Sequence, residues 1–300
     1  MVLRALGDII TELEGTLGAL EAEPVALTGG ITNRNYRVRL GGGEYVVRLH
    51  GRDTELLGID RTAELQATRA AAELGIAPRV VASASDCLVT EFIDCTAMTA
   101  TEVAREIEQI ARALRRFHDS ALRLPVVFAV PALLERYARL TEKRGRELPP
   151  AYEVAQRAAE RIERALGSVE LCPCHNDLLA GNIIRARGGR GTMIVDWECA
   201  GMGDPRFDLG NLAVNNGLDG DAEERLLHAY HGRPARAHES VALALMRVLS
   251  DAREGAWGVV QGALSDLDFD FAEYAHEHLG RMLAVAQEPA FEEMLARASR

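Results

Sequence analysis

The run Cys172-Pro173-Cys174-His175-Asn176-Asp177-Leu178-Leu179-Ala180-Gly181-Asn182 is followed by a short apolar hairpin, by Ile194-Val195-Asp196-Trp197-Glu198, and by Gly203-Asp204-Pro205 and Asp208. These residue types in this order suit phosphoryl transfer, in which little of the catalysis is covalent and most is positioning and charge stabilisation. A carboxylate must orient the attacking hydroxyl, and oxygen ligands must hold Mg²⁺ against the phosphates of ATP. The pattern His175-x-Asp177-x-x-x-x-Asn182 offers that carboxylate and an amide ligand five residues apart on one loop. Asp196 comes fourteen residues after Asn182, at the end of the apolar run 192–195, where a strand presents it to the same cleft. Either half alone is commonplace: a His-x-Asp is usually a turn or a helix cap, and an Asp after a strand is usually an exposed loop carboxylate. Their joint spacing, with Asp204 and Asp208 just downstream, argues for a site.

Working outward, the 300 residues are 48% apolar, enough for one large domain or two lobes with a sizeable core. Asp plus Glu number 45 against 34 Lys plus Arg, and a net charge of −11 discourages nonspecific binding to nucleic acid or anionic lipid while welcoming a neutral or cationic substrate. The five cysteines are an odd, scattered set without the paired spacing of a structural zinc site, so they read as reduced, mostly buried thiols. No apolar run approaches the length of a membrane span, and a cytoplasmic location is expected.

Leu3, Leu6, Ile10, Leu13 and Leu17 recur at helical spacing and predict an amphipathic helix over 2–20, a brace on the first lobe. The period then changes to that of strands over 25–27, 36–40 and 45–49, with Gly41-Gly42-Gly43 as a turn, and two more strands follow at 80–81 and 88–93, completing a five-stranded sheet. Between them lies a helix opened by Asp60 or Thr62 and closed by Gly75. Beyond Asp94 the pattern is almost wholly helical. A stripe from Val103 to Phe117 is capped by Thr101 and ends near a solvated His118; further helices cover 151–166, 221–231, 238–264 and 270–298, and Gly201–Pro205 is a turn. The Arg-rich run 136–146 reads as a solvated face.

The combination of His175-x-Asp177, Asn182 and Asp196 resembles the signature shared by aminoglycoside phosphotransferases and choline/ethanolamine kinases, which are similar in fold to protein kinases. Asn176 and Trp197-Glu198 stand where protein kinases carry Arg and Phe-Gly, which favours a small-molecule kinase. The resemblance implies a two-lobed, protein-kinase-like α+β fold, with residues 1–93 as a nucleotide-binding lobe and 94–300 as a catalytic and substrate-binding lobe. It implies that Gly29, Gly30 and Asn33 belong to a turn over the phosphates of ATP, that Arg48 contacts phosphate and is positioned by Glu64, and that the backbone of Glu91 and Ile93 holds adenine. Asp177 would act as base with His175 beside it, Asn182 and Asp196 would hold Mg²⁺, Glu198 would add a metal or water contact, and Asp208 would brace the loop.

At the other end, Glu254-Gly255-Ala256-Trp257-Gly258-Val259-Val260-Gln261 and Phe269-Asp270-Phe271-Ala272-Glu273-Tyr274-Ala275 are, taken alone, two helices with core aromatics. They also look like the C-terminus of choline/ethanolamine kinases, where such aromatics receive a quaternary ammonium through cation–π attraction. That resemblance puts Trp257, Tyr274, Glu254 and Asn215 at the substrate. It also implies that the protein phosphorylates the hydroxyl of a small amino alcohol, choline or ethanolamine, with another alcohol kinase or a nucleotide-binding scaffold as alternatives. Leu179, Cys199, Glu254 and Asn215 stand where eukaryotic choline kinases carry Gln, Tyr, Trp and Glu, so the amine itself is left open. No nucleic-acid partner is expected, and a homodimer is allowed for.

Overall fold

The computed structural model describes residues 4–27, 33–51, 54–265 and 267–299. Its first part is an antiparallel five-stranded sheet in the order β1-β2-β3-β5-β4: β1 (Val25–Leu27), β2 (Arg34–Leu40), β3 (Gly43–Leu49), β4 (Val80–Ala84) and β5 (Cys87–Glu91). β2 and β3 face each other with Leu40 opposite Gly43, leaving Gly41 and Gly42 as a two-residue turn. Both have positive φ, 52° and 78°, the geometry whose twist matches that of the flanking strands. The predicted third turn residue, Gly43, is therefore the first residue of β3.

Helix α1 (Leu6–Leu17) lays Ile9, Ile10 and Leu13 on Val38, Leu40, Val47 and Val89 of the sheet. It is shorter than the predicted 2–20, ending at Gly18 (φ 95°), where the chain is pressed against Gly41. α2 (Arg61–Glu73) is capped by Asp60, whose side chain accepts from the Ala63 amide. Its small face of Ala63, Ala67 and Ala71 joins the core of the second lobe. Glu64 on this helix is buried, whereas Glu73 is exposed.

The second part is mainly helical. β6 (Cys95–Ala97), β8 (Ile183–Ala186) and β9 (Gly191–Ile194) form a small antiparallel sheet, and β7 (Cys172–Cys174) pairs with β10 (Gly201–Gly203). The segment read as a turn at Gly201–Pro205 is thus partly a strand, held because its partner β7 enters the His175 loop. The helix expected to start at Thr101 is two, α3 (Ala100–Arg105) and α4 (Ile107–His118). The cap is Thr99, which forms a reciprocal capping box with Glu102. His118 is a further correction: it is buried, not solvated.

α5 (Val130–Lys143), α6 (Pro150–Leu166), α7 (Pro205–Asn215), α8 (Gly220–His231), α9 (Ala237–Leu264), α10 (Phe271–Ala286) and α11 (Pro289–Ala298) complete the lobe. The single helix predicted over 270–298 breaks at Gln287–Glu288 because Pro289 can start a helix but not continue one. α9 is buried nearly all round, packed by α5, α6, α7 and α10. All five cysteines are free thiols, Cys87 and Cys174 buried and the others half-buried. No helix among the described residues is long and apolar enough to cross a membrane.

Candidate active site

β7 delivers the chain to His175 and β10 carries it away, so the loop between them is anchored at both ends. Two non-glycine residues of this region have left-handed backbones, Asn176 (φ 67°) and Asp196 (φ 65°). Such conformations cost free energy and persist where neighbours over-determine them. Asp208, in the first turn of α7, supplies the restraint at Asn176. Its Oδ2 accepts from the His175 amide at 2.8 Å and its Oδ1 from the Asn176 amide at 2.7 Å. The Asn176 side chain donates to the carbonyl of Cys199 at 3.0 Å. His118 Nε2 donates to Asp208 Oδ2 at 2.9 Å while His118 Nδ1 accepts from the Tyr230 hydroxyl at 2.7 Å. Burial works to raise the Asp208 carboxyl, but the bonds from His118 and the loop amide hold it below the ordinary range.

His175 is fully buried against Trp197, with Nε2 3.0 Å from the Val195 carbonyl and Nδ1 3.2 Å from the Asp177 amide. Those partners fix its tautomer, and burial lowers its pKa, so it stays neutral. His175, expected beside the base, is inaccessible and shapes the loop from within, while Asp208, equally buried, makes the contacts expected of a brace.

Asp177 reaches the cleft from this loop, its side chain 17% exposed. Asn182 Nδ2 donates to its carbonyl at 2.9 Å and to its Oδ2 at 3.1 Å. Burial pushes the Asp177 carboxyl up to about 7, with Arg253 pulling it back and Glu254, Asp196 and Glu198 adding to the rise. A carboxylate poised there is suited to accepting a proton from a hydroxyl near neutrality.

On the nucleotide side, Arg48 of β3 meets Glu64 of α2 at 3.2 Å, the pair expected from sequence. Arg48 also bonds Asp196 and lies 3.3 Å from Glu198. Glu198, for which a metal or water contact was expected, lines the same cavity as Asp196 and is the centre of a buried cluster. Its Oε2 accepts from Asn33 Nδ2 at 2.9 Å and from Arg61 at 3.1 Å. The Asn33 side chain thus donates to Glu198 and accepts from the Gly51 amide at 3.2 Å; Gly29 and Gly30 lie outside the described residues. Arg61, which pattern reading passed over, also reaches Glu64 at 2.8 Å and Thr54 at 3.0 Å. Glu91 and Ile93 sit at the other end of the cleft, and the Ile93 amide makes no hydrogen bond among the described residues.

One cavity of about 700 Å³ runs from Glu91 and Ile93, past Arg48, Asp196, Asn182 and Asp177, to Glu254, Trp257 and Tyr274. Trp257 and Tyr274 meet edge to face, ring centroids 5.5 Å apart, and the Tyr274 hydroxyl donates to Glu254 Oε2 at 3.0 Å. Asn215, expected at the substrate, touches Glu254 Oε1 at 3.4 Å from behind and is off the cavity wall. Two further residues were unforeseen. Asn211 accepts from the Leu178 amide and donates to Ser250 at 2.9 Å, tying the loop to α9. Arg253 is buried beside Asp177. The polar face of α7 at Asp208, Asn211 and Asn215, spaced three and four apart in an apolar helix, carried the signal for the first.

A kinase-like fold holding this carboxylate, amide and second carboxylate in one cleft defines a phosphotransferase with an alcohol group as acceptor. Residues 23–244 match the phosphotransferase enzyme family, and the chain belongs to it. It is similar to probable choline kinase 1 of Arabidopsis thaliana, 25% identical with 90% of this chain and 87% of that protein covered. Ethanolamine kinase 1 of Mus musculus is 26% identical, with 83% and 79% covered. Among solved structures, a choline/ethanolamine kinase family protein from Mesorhizobium loti superposes with a TM-score of 0.80 at 28% identity, covering 96% of this chain and 98% of that one. Choline kinase LicA from Streptococcus pneumoniae gives 0.79 at 26% identity, covering 93% and 99%.

Proposed function

We propose that this protein transfers the γ-phosphoryl group of ATP to the hydroxyl of a small amino alcohol, choline or ethanolamine. The observation that carries this reading is the single cavity that has Asp177 midway, a backbone edge at Glu91–Ile93 at one end and the Trp257–Tyr274–Glu254 wall at the other. An edge-to-face aromatic pair over a buried carboxylate favours a cationic head, and the relatives named for choline and ethanolamine use such acceptors. The lobe junction falls at Ile93, so the nucleotide lies between residues 1–93 and 94–300. Asp177 accepts the hydroxyl proton, and Arg48, held by Glu64, faces the phosphates.

Asn182 and Asp196 suit Mg²⁺. The Asn182 Nδ2 is spent on Asp177, which leaves its amide oxygen as a ligand, and Asp196 adds a carboxylate, an all-oxygen set for a hard cation. Bound there, Mg²⁺ supplies charge neutralisation for the nucleotide phosphates.

The test is a coupled ATPase screen with choline, ethanolamine, thiamine and aminoglycosides, run on wild type and Asp177→Asn. Expected is turnover with an amino alcohol that falls on the order of 10²-fold or more in the variant, with ATP affinity within a few fold. Turnover confined to thiamine or an aminoglycoside would overturn the amine assignment, and nucleotide binding without any acceptor would make the protein a scaffold.

A further inference from the structure

Arg253 lies on α9 with its side chain 4% exposed, yet it lines the acceptor end of the cavity. Its Nη1 is 3.2 Å from Asp177 Oδ1 and 2.8 Å from Glu254 Oε1, and its Nη2 is 3.2 Å from the Cys199 thiol. Its Nε is buried without a hydrogen-bond partner. A single guanidinium nitrogen therefore joins the candidate base to the carboxylate that anchors the Tyr274 hydroxyl.

We propose that Arg253 is a positioning residue for the transfer, fixing the Asp177 carboxylate from the acceptor side while Asn182 fixes it from the metal side. The proposal rests on the reading of Asp177 as base.

The physical case has three parts. Asp177 and Glu254 both approach Arg253 Nη1 within hydrogen-bond range, and two carboxylates so close, one buried and one largely shielded from water, repel unless a cation stands between them. Asp177 has one oxygen held by Asn182 and the other by Arg253, so losing either contact frees its rotation about the Cβ–Cγ bond. Misplacing a reacting group by about 1 Å costs on the order of 10²-fold in rate. Finally, the planar fork of arginine can serve both carboxylates and the thiol at fixed angles, which the point charge of lysine cannot. The guanidinium also acts through Glu254 on the hydroxyl of Tyr274, so the same residue registers the acceptor wall against the base.

The decisive experiment is a double-mutant cycle between Arg253→Met and Asp177→Asn, with Arg253→Lys alongside, read as kcat and KM for ATP and for the amine. Expected for Arg253→Met is a kcat lower by about 10- to 100-fold with KM for ATP within about twofold, and partial recovery in Arg253→Lys. In the Asp177→Asn background the same replacement should cost less than about threefold, because a residue acting through Asp177 has nothing left to position. Multiplicative losses in the double variant, or a kcat within twofold of wild type in Arg253→Met, would overturn the proposal. If Arg253→Met does not fold, Arg253→Lys carries the cycle, since it keeps the charge and loses the fork. Wild type that uses another alcohol and no amine would overturn the amine reading alone, and the cycle run on that alcohol would still decide Arg253. Absence of turnover with every alcohol would overturn both.

Discussion

Asp208 shows how one side chain can set a whole loop. Three donors, two of them successive backbone amides, converge on a carboxylate with no exposure to water. Its pKa lies below the ordinary range despite burial, so its bonds stabilise the fold above the unfolded Asp value of about 3.9. That contribution is lost as pH falls through the folded value, where the carboxyl takes up its proton. Asp208→Asn should cost about 3 kcal/mol at pH 7, since an amide presents an N–H group to a site built for acceptors. The gap between variant and wild type should narrow as urea melts are taken from pH 7 to below 4; a constant gap would mean that the charge is not what holds the loop. At this scale a short motif spacing singled out Asp177, Asn182 and Asp196, and the family resemblance pointed to the Arg48–Glu64 contact. Pattern reading put His118 in solvent and was silent on Arg253, because their partners lie 90 and 76 residues away and are chosen by packing.

Between elements, the acceptor wall depends on how closely α9 and α10 approach. A Cβ on Gly255 would fall 2.6 Å from Leu279 Cγ, and one on Gly258 would fall 3.0 Å from both Cβ and N of Ala275. These glycines let the helices touch and set Tyr274 against Trp257. Gly258→Ala should push α10 outward, lowering stability by about 1–3 kcal/mol and raising KM for the amine, with KM for ATP unchanged. Trp257→Ala separates packing from recognition. It removes the ring and should weaken amine binding by roughly 1 to 2 kcal/mol through lost cation–π attraction. Calorimetric titration of the amine checks both, and an unaltered amine affinity in Trp257→Ala would place the ring outside the pocket. Periodicity revealed the helices themselves, but the α3/α4 break and the strand β10 escaped it. The start of α3 turns on which of Thr99 and Thr101 finds a reciprocal Glu, the break falls at Glu106, whose backbone (φ −100°, ψ 16°) leaves the helical region, and a three-residue strand exists only because its partner is there.

For the molecule as a whole, the two lobes are joined at the cleft by charge. Arg48 comes from the sheet, Arg61 and Glu64 from α2, and Asp196 and Glu198 from the catalytic lobe, and Asn33 at the head of β2 adds a neutral contact. Two guanidinium groups against three carboxylates leave one negative charge in excess, so neutralising Glu198 brings the charge into balance while weakening the charged acceptor that Asn33, Arg48 and Arg61 share. The two-lobed plan was legible from the change of period near residue 94; this junction was not, because Glu198 lies 165 residues from Asn33 and 137 from Arg61. Glu198→Gln should lower stability by about 3 kcal/mol, the scale of breaking a buried ion pair, with little relief from added salt since the cluster is shielded from solvent. More tellingly, amide exchange should quicken together in β2, β3 and the Trp197 segment, because all are fastened to one carboxylate. Exchange that rises only around Trp197 would show that the lobes are held by α2 and its alanine face instead, and that Glu198 serves its own strand end alone.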